Sequence, residues 1–111
     1  MAVQGGDVTL TVYISGGMSD YPNYNYEAFY AAEEVLKKRG YRVLNPAKIG
    51  LLMDYDAYSP INKAMLDGAD AIYLLQGWEN SSGACAELDY AESLGLLVIH
   101  QGGDIEKRWW F

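Results

Sequence analysis

The chain has 111 residues, half of them hydrophobic, with 15 acidic against 8 basic side chains and a net charge of −7. That length suits one domain with a real core, and a pI near 4.4 argues against a nucleic-acid backbone as partner, which would need clustered Lys and Arg. No apolar run is long enough for a bilayer, no basic-then-apolar leader is present and a single cysteine excludes an internal disulfide, so the expectation is a cytoplasmic protein with small-molecule or protein partners and no membrane segment.

Residues 1–8 hold two glycines and little pattern and read as a frayed start, leaving 9–111 as a single domain. Thr9 to Ser15 is rich in β-branched and aromatic residues and ends at Gly16-Gly17, a strand delivered into a flexible loop. Ligands of α/β sheets bind at such strand ends, so Ser15 to Met18 is a candidate binding segment, with an ordinary turn as the alternative. In the loop that follows, Asn23 or Asn25 can cap the next helix. Tyr21, Tyr24 and Tyr26 either stack on a planar ligand or cover core edges, and covering is expected for two of the three.

Phe29, Ala32, Val35 and Leu36 recur at helical spacing, with Glu33, Glu34, Lys37 and Lys38 opposite and Gly40 as the stop. The Glu33–Lys37 and Glu34–Lys38 pairs read as surface supports. Tyr41 to Leu44 is a second strand, broken by Asn45-Pro46. Ala47 to Tyr58 has weak periodicity and reads as a loop with at most a helical turn. Ser59-Pro60 signals a helix start, with Asn62 in its first turn and Ile61, Ala64, Met65 and Gly68 as the buried stripe. Ala71 to Leu75 and Leu96 to His100 are short apolar strands of the buried parallel type. Between them a helix reaches Leu94, with Ala84, Leu88 and Ala91 inward, and Gly95 ends it. Asp104 can cap a short final helix. Strand and helix alternate throughout, so the expected fold is α/β: a compact three-layer domain with a four- to five-stranded, mainly parallel sheet. Trp109-Trp110-Phe111 would be an apolar patch on a monomer, hence an expected homo-oligomer contact.

The stretch from Gly77 to Glu87 concentrates the chemistry. Ser81 or Ser82 can cap the helix, and its first-turn amides with the positive helix end would hold a phosphate or carboxylate near Ser81, Ser82 and Gly83. Gly83 and Ala84 lie on the Glu87 face, one turn earlier, and leave room for a ligand over its carboxylate. The plainer alternative makes the serines caps and Glu87 a solvated helix residue. A capping box does not account for Glu87, which lies five residues beyond Ser82 rather than three. Trp78 either walls a pocket or packs the loop on the sheet. Cys85 is read as a small packing residue, and His100 has no Cys or His companion at ligand spacing, so no metal or other cofactor is expected.

Taken together, Tyr13-Ile14-Ser15-Gly16-Gly17-Met18, Pro22 to Tyr26, Gly40 to Pro46 and Ala69 to Glu87 resemble the nucleoside 2-deoxyribosyltransferase-like superfamily, in its small, bacteriophage-associated branch, over roughly Thr9 to Ile99. The resemblance implies a nucleotide or nucleoside as small-molecule ligand and Glu87 as nucleophile at the anomeric carbon, forming a glycosyl-enzyme ester. It implies that Tyr13 orients Glu87 and that Gly16, Gly17 and Met18 contact the base. Ser81 stands where the transferases carry an aspartate, and is similar to the serine of hydrolases of 2′-deoxynucleoside 5′-monophosphates, where it binds phosphate. Asn62 stands where the family usually carries an aspartate that protonates or positions the leaving base. An amide holds a substrate but transfers no proton at neutral pH, so a nucleotide-binding relative with impaired catalysis is the rival expectation. Asp54, Asp56 and Asp67 are the candidate substitutes, and Asp70 reads as structural.

Overall fold

A computed structural model describes residues 9–19, 21–50 and 55–103. The expected frayed start at 1–8, the cap at Asp104 and the C-terminal aromatic segment, and with it the oligomer contact, lie outside the described residues. Four strands, β1 (Thr11–Ser15), β2 (Arg42–Leu44), β3 (Ala71–Leu74) and β4 (Leu97–His100), form one parallel sheet in the order β2-β1-β3-β4. Helices α1 (Tyr26–Lys38), α2 (Ala47–Gly50), α3 (Tyr55–Asp67) and α4 (Ser82–Ser93) complete the α/β domain.

The alternation of side chains along the strands separates two cores. Val12, Ile14, Ala71, Tyr73 and Ile99 pack with Phe29, Ala32 and Leu36 of α1. Tyr13, Ile72, Leu74 and Val98 pack on the other face with Leu66 of α3 and Ala91 of α4. Because Tyr13 and Ser15 share parity, both point to the α3 and α4 side. The chain runs from β1 outward to β2 and then crosses back to β3, so the sheet has its topological switch between β1 and β3, the place where open α/β sheets bind ligands. Asp70 ties the amino-terminal edge of the same pair. Its carboxylate accepts from the Thr11 amide at 2.8 Å, and its own amide donates to the Thr11 carbonyl, the structural role expected of it.

Several sequence expectations shift, each for a physical reason. The α1 stripe is Phe29, Ala32, Glu33 and Leu36, while Val35 is exposed. Glu33 is buried because it is fully partnered: Lys37 at 2.7 Å, Lys48 at 3.0 Å and the Asn45 amide at 2.9 Å. Glu34 and Lys38 form no such pair among the described residues. Asn45 also accepts from the Ala47 amide, so the residue that breaks β2 starts α2. Helix α3 begins at Tyr55, not Ser59, and carries Pro60 inside it, where the ring nitrogen cannot donate to the carbonyl four residues back. Its inward positions are Asn62, Leu66 and, as expected, the partly buried Met65, with Ile61, Ala64 and Gly68 exposed. A polar residue at an inward position had rotated the apparent stripe. Asn25 precedes α1 but caps nothing with its side chain, since its backbone is left-handed (φ 61°) and its amide donates instead to the Gly17 carbonyl at 3.0 Å.

The Glu33 network has a testable signature. Burial opposes its charge, but hydrogen bonds from Lys37, Asn45 and Lys48 outweigh that and bring the carboxyl from 4.5 down to about 2. A carboxyl lowered in the folded state stabilises above its unfolded value and loses that contribution as pH falls from about 4.5 toward 2. Both lysines keep about half their surface in water (54% and 51%), so screening reduces the contribution to about 1–3 kcal/mol. Glu33→Gln should therefore lower unfolding free energy by that amount at pH 7 and flatten its pH dependence between 4.5 and 2. Chemical denaturation across that range checks this, and parallel curves for the two proteins would refute it.

Candidate functional site

A cavity of about 380 Å³ opens at the switch between β1 and β3, lined by the loop from Gly16 to Ser19, by Asn62 of α3 and by Asn80 to Ala84 and Glu87 at the start of α4. That volume is in the range of small-molecule sites. Gly16 lets the loop pass close to β3, for a Cβ there would meet the Leu75 side chain at 2.8 Å. Gly17 likewise lies under the ring of Tyr21, which would touch an added Cβ at 2.6 Å. The two glycines thus act by close approach.

Glu87 is half-buried and held by three donors from two elements. Tyr13 Oη of β1 donates to Oε2 at 3.1 Å and Ser15 Oγ to Oε1 at 2.7 Å, while Asn62 Nδ2 of α3 donates to Oε2 at 3.3 Å. Burial raises its pKa above the ordinary carboxylate value, and the hydrogen bonds from Ser15, Tyr13 and Asn62 offset part of that rise. The carboxylate is therefore oriented at both oxygens yet kept basic for its type. Asn62 is 4% exposed and its Oδ1 has no partner. Since an ionised carboxylate only accepts, Glu87 determines which end of the amide turns toward it.

At the helix start, Ser81 has extended backbone (φ −110°, ψ 115°) and its Oγ accepts from the Ala84 amide at 3.1 Å. The Ser81 carbonyl takes the Cys85 amide, so the amides of Ser82 and Gly83 have no acceptor within the helix. Ser81 is thus the cap, and its hydroxyl proton stays available.

The residues expected to form a site divide accordingly. Gly16, Gly17, Met18, Ser81, Ser82, Gly83, Asn62 and Glu87 all line the cavity. Tyr13 and Ser15 are fully buried and reach it through Glu87, so Ser15 binds the carboxylate rather than a ligand directly. Trp78 does not line the cavity. It packs against the α3 and α4 core, with its ring 6.4 Å from that of His100, the packing alternative. Of the three tyrosines, Tyr21 lines the cavity, Tyr26 packs on the core and against Tyr30, and Tyr24 is exposed. Cys85 is half-buried, its thiol facing the carbonyls of Trp78 and Glu79.

Phe29, Pro46, Ser19 and Asn80 also line the cavity and were not singled out from sequence. Phe29 and Pro46 carry ordinary core and strand-breaking signals, so nothing local marks them. Asp67 is exposed on α3 and accepts a hydrogen bond from the Tyr90 hydroxyl. Asp54 and the side chain of Asp56 lie outside the described residues. Among the described residues no group of three His, Cys, Asp or Glu side chains could hold a metal, and no helix is long and apolar enough to cross a membrane.

The chain superposes on the 2-desoxiribosyltransferase from Leishmania mexicana with a TM-score of 0.67, over 88% of this chain and 79% of that one, at 19% sequence identity. The two proteins share a fold. No curated protein matches the chain in sequence. Residues 10–100 match the family described as "Domain of unknown function (DUF4406)", and by that match the chain belongs to the DUF4406 family.

Proposed function

We propose that this protein cleaves or transfers the N-glycosidic bond of 2′-deoxynucleoside 5′-monophosphates or deoxynucleosides, with Glu87 as nucleophile. The observation that carries the reading is the Glu87 carboxylate, held at both oxygens by Tyr13, Ser15 and Asn62 beside a cavity of substrate size. A carboxylate so placed can stabilise an oxocarbenium-like centre and form an ester at the anomeric carbon. The fold shared with a protein named as a 2-desoxiribosyltransferase points the same way.

The start of α4 supports a phosphate on the substrate. The Ser82 and Gly83 amides and the Ser81 hydroxyl are donors in need of acceptors, at the positive end of a 12-residue helix. From Ser81 to Glu87 the helix rises roughly 9 Å, a separation that a sugar 5′-phosphate stretched between them would span. The reaction needs no cofactor. A second reading is favoured by Asn62: an amide beside the nucleophile cannot protonate a leaving base, which suits a protein that binds a nucleotide and turns it over slowly or not at all.

Release of free base from deoxynucleosides and their 5′-monophosphates separates the two. The enzyme reading expects Glu87→Ala to lower turnover by at least about 10³-fold with the fold intact by circular dichroism. The binding reading expects no release from wild type, but a thermal stabilisation equivalent to about 2.7 kcal/mol at one hundred times the dissociation constant. Neither release nor stabilisation would refute both.

The pH profile of kcat/KM tests the carboxylate cradle independently. Activity should rise with pH through an apparent pKa above that of an ordinary carboxylate, because burial outweighs the three donors. Ser15→Ala removes one of those donors, so its profile should move further up in pH. A shift to lower pH would show that Ser15 does not stabilise the ionised form.

A further inference from the structure

The charge and hydrogen-bonding character of the cavity constrains the leaving group. Its described lining residues include no lysine, arginine or histidine, and Glu87 is their one carboxyl. Asn62 turns its Nδ2 to Glu87 at 3.3 Å, leaving Oδ1 buried and without a partner. A buried carbonyl in that state opposes folding until a donor or a positive ring edge meets it. Beside the nucleophile, then, the protein offers an anion and an acceptor.

A neutral purine or pyrimidine leaves as an anion unless a ring nitrogen is protonated as the bond breaks. Glu87 must be ionised to attack, and Asn62 cannot transfer a proton at neutral pH. Among the described lining residues there is no other carboxylic acid and no imidazole, Asp67 is committed to Tyr90, and the phenol of Tyr21 sets its hydroxyl against Gly77. An anionic leaving group would also meet the Glu87 charge and the Asn62 carbonyl dipole. A ring that carries a positive charge in the substrate has none of these difficulties, and both groups stabilise it on binding.

Resting on the proposed role of Glu87, we propose that the site selects N-glycosides whose aglycone is a cationic heteroaromatic ring, such as a pyridinium or a ring-N-alkylated purine. Glu87 forms a C–O bond to the anomeric carbon as the C–N bond breaks. The bonding pair returns to the ring nitrogen and cancels its charge, so a neutral base departs without a proton from the protein. Water then attacks the anomeric carbon of the ester, regenerating the Glu87 carboxylate and releasing one proton to solvent.

The test compares base release from 7-methyl-2′-deoxyguanosine and 2′-deoxyguanosine, each corrected for its enzyme-free rate, with wild type, Glu87→Ala and Asn62→Asp. Wild type should favour the methylated nucleoside in kcat/KM, with release lost in Glu87→Ala. The ratio should fall about 10²-fold in Asn62→Asp, where a carboxylic acid can protonate the neutral base. Methylated substrate is intrinsically more labile, so the change in ratio is the decisive reading. Should Asn62→Asp not fold, the wild-type ratio between pH 6.5 and 5 serves instead. Glu87 titration cancels in it, and solvent acid should raise the relative rate on 2′-deoxyguanosine about tenfold per unit. Glu87-dependent release from both nucleosides, with a ratio unchanged by Asn62→Asp or by pH, overturns this inference and leaves the glycosidase reading standing. No release from either by any of the proteins overturns both.

Discussion

The carboxylate of Glu87 is where the separate parts of the fold meet. Its three donors come from β1 and α3 while the glutamate itself is on α4, so the cradle exists only when the sheet and both helices are assembled. Its cost is visible in the raised pKa. A carboxyl raised in the folded state makes the folded protein less stable as pH climbs through the unfolded value, so the charge at neutral pH is carried against stability. Such an unfavourable charge persists where packing is strong, and the core that holds its donor Tyr13, with Leu66, Ile72 and Leu74, is almost wholly buried. Such a charge, carried against stability at the edge of a cavity, is what the proposed role of Glu87 would require.

Glu33 shows the contrast on the other side of the sheet. Both are helix glutamates drawn into the protein, yet the pKa of Glu33 falls to about 2 while that of Glu87 rises. The difference is the nature of the partners. Two ammonium groups and an amide face Glu33, whereas Glu87 has only neutral donors, which cannot match the loss of solvent. Glu33 joins α1 to the segment after β2 and supports the wall of Phe29 and Pro46 that the cavity uses. Glu87 lines the cavity with neutral donors at both of its oxygens.

Asn62 links these themes. As a donor to Glu87 it is part of the cradle, and as an unpaired carbonyl it leaves the cavity short of one hydrogen-bond donor. A ligand that completes that bond would gain affinity and close the local accounting of polar groups. Under the proposed glycosidase reading, the same amide supplies no proton at neutral pH and so bears on both the rate and the kind of leaving group.

Much of this was legible in the residues. The four strands, the glycine stop after α1, a serine cap at Ser81 or Ser82, and the separate importance of the Gly16-Gly17 and Ser81 to Glu87 stretches follow from local propensity, capping chemistry and periodicity, which act over a few residues. What local pattern could not set was rotation and partnership. Periodicity misplaces the face of α3 because Asn62, a polar residue, occupies a buried position. Glu33 was placed on the surface because its partners, Asn45 and Lys48, are 12 and 15 residues away. Only the packed structure decides that Ser15 bonds Glu87 across 72 residues of sequence, that Tyr21 rather than Tyr24 or Tyr26 faces the cavity, and that Phe29 and Pro46 line it. The sequence by itself determined the four strands, helices α1 and α4 and the turn chemistry, since those are written in short-range sterics and hydrogen bonding, but not where α3 begins. Tertiary structure alone decided which buried polar groups meet, because desolvation and charge compensation depend on neighbours that the chain brings together only on folding.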